Sequence, residues 1–408
     1  MKRTLITNIG MLATPQGTAA RGGRAQGEIC ILKNAWILIE NDLIAQVGPA
    51  AAPAAADAQT INAGGKLVTP GLVDAHTHLI FGGWRQNELV LKLHGAGYLD
   101  ILAEGGGILS TMRATQSASE EQLEAKASAA LDEMLRFGTT TAEAKSGYGL
   151  STGEECKALR VIGKLQKHHV MDLAATFMGA HAVPEAYRDN RQGYLELLCE
   201  EMLPAVWEQG IAEFCDVFCE KGVFSAEESR RILLTGRQYG LRPKIHADEI
   251  EAIGGSELAG EIGAVSAEHL IVCPPSGIAS MAEGGTVACC LPATSFYLGA
   301  AYAPVQDMVQ AGVPVAMATD FNPGSCPCLN MQLVISLGCL RYRLTPEQAL
   351  TAVTLNGAAA ICRADRIGSI EPGKQADILI WNAEDLDYIC YRLGSNLVDT
   401  VIKKGNVV

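Results

Sequence analysis

Aromatic residues make up only 5% of this 408-residue chain, too few for the stacking surfaces that grip single-stranded nucleic acid. Positive charge is also in the minority. Against 45 Asp and Glu there are 32 Lys and Arg, a formal net charge of −13, so no broad basic face is available to release counterions from a polyanion. Nucleic acid is therefore not an expected partner. No run of about 18 apolar residues occurs, and the opening Met1-Lys2-Arg3-Thr4-Leu5-Ile6-Thr7-Asn8 lacks the apolar segment and small-residue cleavage site of a secretory leader. The expectation is a cytoplasmic protein without a membrane partner. Charged residues are held to 19% while hydrophobic ones reach 48%, which excludes a disordered scaffold. Zinc-ribbon spacing is missing from the 13 cysteines, an odd number that reads as small buried apolar residues in a reducing compartment. No repeat with a period of roughly 20 to 50 residues is visible, which disfavours a solenoid.

What the chain does have is glycine, 43 residues of it, a supply suited to many tight βα turns. Between residues 66 and 362, eight strand-like apolar runs alternate with segments of helical period: Leu72 to His78, Thr139 to Lys145, Leu173 to His181, Phe214 to Glu220, Pro243 to Asp248, Ala264 to His269, Val287 to Ser295 and Val313 to Asp320. Helical segments include Ser119 to Arg136, Gly153 to His168, Ser225 to Tyr239 and Ala303 to Ala311. Eight such units with nearly continuous apolar strands predict an α/β fold, a (β/α)8 TIM-like barrel. Residues 1–65 and 363–408 instead show short β runs broken by turn chemistry, such as Leu5 to Leu12 and Ala376 to Trp381. Each end is too small to bury a core alone, so the two are expected to pair as a small composite β-sandwich domain.

Barrel interiors are filled by branched apolar side chains, and reacting groups come from the carboxyl ends of the strands. The predicted strands end in just such groups: His76-Thr77-His78 on the first, His181 on the third, His246 on the fifth, His269 on the sixth and Asp320 on the eighth. One histidine on an apolar face is ordinarily a satisfied core residue. Five strands ending in metal-ligand types on one rim support one another. His76 and His78 lie two apart, so on a strand both imidazoles face the same way, and one cation can take both. His76, His78, His246 and Asp320 supply the nitrogen and oxygen donors that zinc takes, with water as a further ligand. Those donors suit one divalent ion, zinc or iron(II) alike. A second ion would need a bridging group after the fourth strand, where Glu220 and Lys221 stand. Glu249 follows His246 by about one turn and is either a reacting acid or a helix N-terminal acid favoured by the macrodipole. Asp320 opens a turn-rich loop, Asn322-Pro323-Gly324-Ser325-Cys326-Pro327-Cys328, in which Cys326 and Cys328 are a weak metal pair. Gly105-Gly106-Gly107 lacks the strand and lysine of a phosphate loop and reads as backbone flexibility.

These strings resemble the metal-dependent amidohydrolase superfamily and, within it, the imidazolonepropionase family. The resemblance runs over nearly the whole chain through Pro70-Gly71-Leu72-Val73-Asp74-Ala75-His76-Thr77-His78, Phe81-Gly82-Gly83, Lys145-Ser146-Gly147-Tyr148-Gly149-Leu150, Phe177-Met178-Gly179-Ala180-His181, Ile245-His246-Ala247-Asp248-Glu249 and Thr319-Asp320-Phe321-Asn322-Pro323-Gly324-Ser325. Trp84 and Gln86 depart from the smaller and acidic residues expected beside Arg85. The resemblance implies hydrolytic opening of the ring of 4-imidazolone-5-propanoate to N-formimidoyl-glutamate in histidine breakdown. It further implies that Asp320 is both ligand and proton shuttle, that Glu249 contacts the ring and orients water, and that His269 hydrogen-bonds near the carbonyl oxygen. Arg85 would hold the propanoate with a bidentate fork, helped by Tyr148 and Ser325, with His181, Asn322 and the Gly324 backbone completing the substrate site; a surface ion pair with Glu88 is the structural alternative for Arg85. Tyr98 is a further candidate for binding or core packing. A homodimer acting on a small anionic substrate is the implied assembly. The competing readings are a sibling hydrolase of a small cyclic amide or a heterocycle deaminase, and a barrel kept only as a structural subunit, which would have lost ligands that are all present here.

Overall fold

A computed structural model describes residues 2–53, 57–94 and 106–408; Tyr98 and Gly105 lie outside them. Among the described residues, sixteen strands fall into two sheets. The first gathers β1 (Arg3–Thr14), β2 (Cys30–Glu40), β3 (Leu43–Pro49), β4 (Gln59–Asn62) and β5 (Leu67–Pro70) from the start of the chain. The barrel follows with β6 (Leu72–Asp74), β7 (Thr139–Lys145), β8 (Asp172–Ala180), β9 (Phe214–Cys219), β10 (Arg242–Ala247), β11 (Ser266–His269), β12 (Val287–Cys290) and β13 (Val315–Met317). Back in the first sheet, β14 (Ile378–Trp381), β15 (Val398–Lys403) and β16 (Asn406–Val407) close the chain.

The terminal sheet runs β16-β15-β14-β5-β1-β2-β3, with β4 added along β1, so both chain ends build one sheet as their sizes required. Alternate residues such as Ile37 and Ile39, Ile378 and Ile380 turn to one face and pack with Ile6, Ile9, Val68 and Ile402 as a core of their own, the period-two pattern of a half-buried strand. Gly71 then carries the chain from β5 into β6. A Cβ there would lie 2.3 Å from Thr140 Oγ1, so only glycine lets the first barrel strand pass so close to β7.

The eight barrel strands lie in chain order and pair in parallel. Helices cover them where the sequence places helical period: Glu120–Arg136 begins at a Ser119 capping box and buries Leu123, Ala127, Leu131 and Met134, Ala226–Gln238 begins at a Ser225 capping box, and Thr152–His168 buries one face with no side-chain cap at Ser151. Several expected strands are shorter than their apolar runs: the first stops at Asp74, so His76 and His78 follow it, and the eighth spans only Val315–Met317, so Asp320 lies beyond its end. From Val287 to Ser295 the strand stops at Cys290 and Pro292 opens the helix Pro292–Leu298, because proline fits the first turn of a helix and removes a donor from a ladder. The seam between the first and last barrel strands is closed by main-chain bonds, Asp320 N to His76 O at 3.1 Å and His78 N to Phe321 O at 2.9 Å, with a parallel bridge between Thr77 and Phe321. The closure of the barrel and the meeting of residues 320 and 76–78 are thus one event.

Candidate active site

Five of the six strand-end residues lie buried at one mouth of the barrel, His76, His78, His246, His269 and Asp320, and His181 is half-buried. Asp320 Oδ1 is 3.5 Å from both His76 Nε2 and His78 Nε2, and His246 Nε2 is 3.3 Å from His78 Nε2. Two overlapping donor sets result, His76 with His78 and Asp320, and His76 with His246 and His269, the ligand atoms of each within 4.8 Å of one another. His76 Nε2 and Asp320 Oδ1 are buried with no hydrogen-bond partner. Converging lone pairs left unsatisfied in a dry interior are costly unless a cation takes them, so the donor set fits a divalent metal ion.

Its histidines are held as ligands from behind. His76 Nδ1 lies 2.9 Å from Glu268 Oε2, and His246 Nδ1 lies 3.1 Å from Asp216 Oδ1; each carboxylate accepts the Nδ1 proton and leaves Nε2 free to coordinate. Burial holds the His76 and His78 imidazoles well below their ordinary range and His269 at about 4, which keeps them neutral as coordination requires. Asp320 is aimed by Thr294, whose Oγ1 donates to Oδ2 at 2.7 Å. The backbones of His269 (φ 67°) and Asp320 (φ 57°) are left-handed, strain that persists only where the surroundings enforce it. Here the seam enforces it at Asp320, reinforced by Asp74, whose carboxylate accepts from Thr319 N at 3.0 Å and Thr319 Oγ1 at 2.6 Å.

Beside this centre stand the other groups singled out from the sequence. Glu249 Oε2 is 3.6 Å from His269 Nε2, and burial pushes the Glu249 carboxyl up to about 7. His181 stacks on His78, ring centroids 4.7 Å apart, with its Nδ1 3.0 Å from Gly147 O. Tyr148 is buried 5.1 Å from the His181 ring and 5.9 Å from the His78 ring. Arg85 pairs through Nε with Glu88 Oε1 at 3.0 Å, but this pair is not on the surface: Glu88 is buried and also accepts from Gly107 N at 2.7 Å. The guanidinium lies against the backbone of Gly324, where a Cβ would come within 2.2 Å of Nη1. Asn322 organises that loop, its Oδ1 accepting from Gly324 N at 2.8 Å and Ser325 N at 2.7 Å while Nδ2 donates to Asp320 O at 2.8 Å. Trp84, out of pattern in the sequence, packs edge-on against Phe81 at 4.9 Å and beside Phe321.

A model of the amidohydrolase family matches residues 67–408. Imidazolonepropionase of Alkaliphilus metalliredigens is 50% identical, covering 100% of this chain and 98% of its own length; that of Bacillus cereus is 48% identical with 100% and 97% covered, and that of Streptococcus gordonii 49% with 95% and 93%. The chain belongs to the amidohydrolase family and, within it, to the imidazolonepropionases. Among solved structures, an adenosine deaminase from Xanthomonas campestris with bound zinc superposes with a TM-score of 0.71 at 20% identity, covering 99% of this chain and 92% of that one. An atrazine chlorohydrolase from Arthrobacter aurescens complexed with zinc gives 0.70 at 17%, with 99% and 94% covered. At those identities the likeness is one of fold.

As in other amidohydrolases by its family membership, a divalent cation belongs at this centre. Neither candidate bridge for a second ion faces it. Lys221 has 67% of its side chain exposed and pairs with Glu251, and Glu220 accepts from the backbone of Lys221, Ile250 and Glu251. Cys326 and Cys328 are in neither donor set, and all thirteen cysteines are free thiols. Sequence reasoning missed Asp216 and Glu268, together with Glu143, Lys145 and Lys244, all fully buried. The available signal was charge at alternate positions inside otherwise apolar strands, Glu143 and Lys145 on β7, Lys244 and His246 on β10, which periodicity assigns to one face.

Proposed function

We propose that this chain hydrolyses the ring amide of 4-imidazolone-5-propanoate to N-formimidoyl-glutamate, a step of histidine breakdown, with one zinc or iron(II) ion held by His76, His78, His246 and Asp320. The observation that carries the reading is the approach of Asp320 Oδ1 to within 3.5 Å of both His76 and His78, with an arginine fork seated on Gly324 in the adjoining loop. A single ion is the reading because Glu220 and Lys221 are engaged elsewhere: Lys221 pairs with Glu251, and Glu220 accepts from the backbone of Lys221, Ile250 and Glu251. When bound, such an ion acidifies water and polarises a carbonyl oxygen.

The chain's own groups do the rest. Arg85, oriented by Glu88, grips the propanoate with Tyr148 and Ser325, and His181, Asn322 and the Gly324 backbone shape the pocket. His269, neutral at working pH because burial holds it at about 4, donates a hydrogen bond to the ring carbonyl oxygen as charge develops there. Glu249, raised by burial to about 7, orients the attacking water and takes its proton near neutrality. Oxygen bonds to the carbonyl carbon, Asp320 takes the second proton of that oxygen and passes it to the departing nitrogen as the ring C–N bond breaks, and the carboxylate product leaves Glu249 protonated until it releases its proton to solvent. A homodimer in the cytoplasm, acting on this small anion with no nucleic acid or membrane partner, completes the proposal.

The test is to incubate metal-replete protein with freshly generated imidazolone propanoate and follow loss of its ultraviolet absorption, with formimidoyl-glutamate as product. Release of ammonia with the ring intact would show a deaminase instead.

A further inference from the structure

A chain of buried charge joins two of the histidines at the metal centre from behind. His76 Nδ1 meets Glu268 Oε2 at 2.9 Å, and Glu268 Oε1 is 3.3 Å from Lys244 Nζ. Lys244 is 3.2 Å from Glu143 Oε1, and Glu143 Oε2 is 2.8 Å from Lys145 Nζ. Lys145 donates to Asp216 Oδ2 at 2.7 Å, and Asp216 Oδ1 lies 3.1 Å from His246 Nδ1. Every member except His246 is fully buried, and His246 is nearly so. Because β7 and β10 are not neighbours in the barrel, Glu143 and Lys244 meet only across its lumen.

Glu143 is the centre of this path and touches neither histidine. Each lysine faces two carboxylates, Glu143 on one side and a histidine partner on the other. Lys244 also donates to Ala75 O and Ala360 O, each at 3.2 Å, and so grips the residue next to His76. Thr176 Oγ1 donates to Glu143 Oε1 at 2.5 Å. Without the central carboxylate, two buried ammonium groups would be left drawing on Asp216 and Glu268 alone, and the rotamers of both carboxylates, hence of both imidazoles, would lose a common anchor.

We propose that Glu143 is a positioning residue for the metal site, setting the orientation of His76 and His246 together through Lys244–Glu268 and Lys145–Asp216. The inference rests on the metal-site reading above but not on the identity of the substrate. Partners behind a metal ligand change affinity by about 10- to 100-fold when removed, and an effect relayed through one further pair belongs at the lower end.

The experiment titrates zinc into metal-stripped protein against a chromophoric chelator, for the parent, Glu143→Gln, Asp216→Asn and the double variant, with thermal melts of each apo form. Glu143→Gln is expected to weaken zinc affinity about tenfold, and the double variant to lose less than the product of the two single losses, since both changes act on His246 through one path. A merely structural role would lower the apo melting temperature and leave the zinc affinity within twofold; that result overturns the proposal, as do fully multiplicative losses. Should Glu143→Gln not fold, Thr176→Val removes only the hydroxyl that steadies Glu143 and is expected to weaken zinc in the same direction, unchanged affinity again overturning it. Zinc binding that falls as expected in protein inert toward imidazolone propanoate would sink the substrate assignment and leave this inference standing, whereas a parent that binds no zinc or iron(II) would sink both.

Discussion

At the scale of single residues, the site separates groups that hold from groups that react. Glu249 is half-buried and, among the described residues, bonded to no main-chain amide, unlike Glu220, which is committed to three. Replacing Glu249 by Gln keeps its volume and removes its proton chemistry, so kcat is expected to fall on the order of 100-fold or more with metal content unchanged, checked by turnover alongside metal analysis. Arg85 poses a different question. Lysine there preserves charge and loses the fork, and KM is expected to rise about tenfold with a smaller change in kcat; an unmoved KM would return Arg85 to the role of partner for Glu88. The ligand types at 76, 78, 246 and 320 were legible in sequence because polar groups at the ends of apolar strands have few structural reasons to be there. Asp216 and Glu268 were not, because a carboxylate behind a histidine leaves no spacing rule: one is 30 residues from its partner and the other 192.

At the scale of elements, the decisive feature is the seam where β6 meets the chain after β13. Thr319 Oγ1 donates to Asp74 at 2.6 Å and accepts from Phe321 N at 3.1 Å, spanning the closure one residue before Asp320. Thr319→Val keeps the shape and deletes both bonds, leaving buried Asp74 with one donor fewer. Stability is expected to drop by about 1 to 3 kcal/mol, read from urea melts, and metal to dissociate more readily because Asp320 loses its neighbour's anchor. Strand and helix order followed from periodicity, since eight apolar runs separated by segments of helical period admit few arrangements. The end of β12 did not, because the run to Ser295 stays apolar through a strand-to-helix change that is marked only by Pro292.

For the whole molecule, the terminal sheet is clamped to the barrel by charge. Asp172 on β8 meets Lys403 at 2.7 Å and Lys404 at 2.6 Å, with Gln375 donating at 2.8 Å. Burial alone would raise its pKa, yet the two lysines and the amide outweigh it and hold the carboxyl down at about 2. A folded value below the unfolded one gives stability that is complete above the ordinary carboxylate range and is lost as pH falls toward 2. Asp172→Asn is therefore expected to lower the melting temperature at neutral pH and to flatten its decline between about pH 5 and pH 2; an acid limb identical to the parent's would remove this clamp from the account.

From its sequence alone the chain determined its class of architecture and its candidate metal donors, because alternation of apolar strands with helical period and polar residues at strand ends are local properties that survive without coordinates. Tertiary structure decided what no local pattern encodes: which lumen charges face one another, how the seam sets Asp320 against His76 and His78, and that Glu143 stands between two lysines drawn from different strands. Those depend on contacts across the lumen between residues far apart in the chain, and a distance through space is fixed only when the barrel closes.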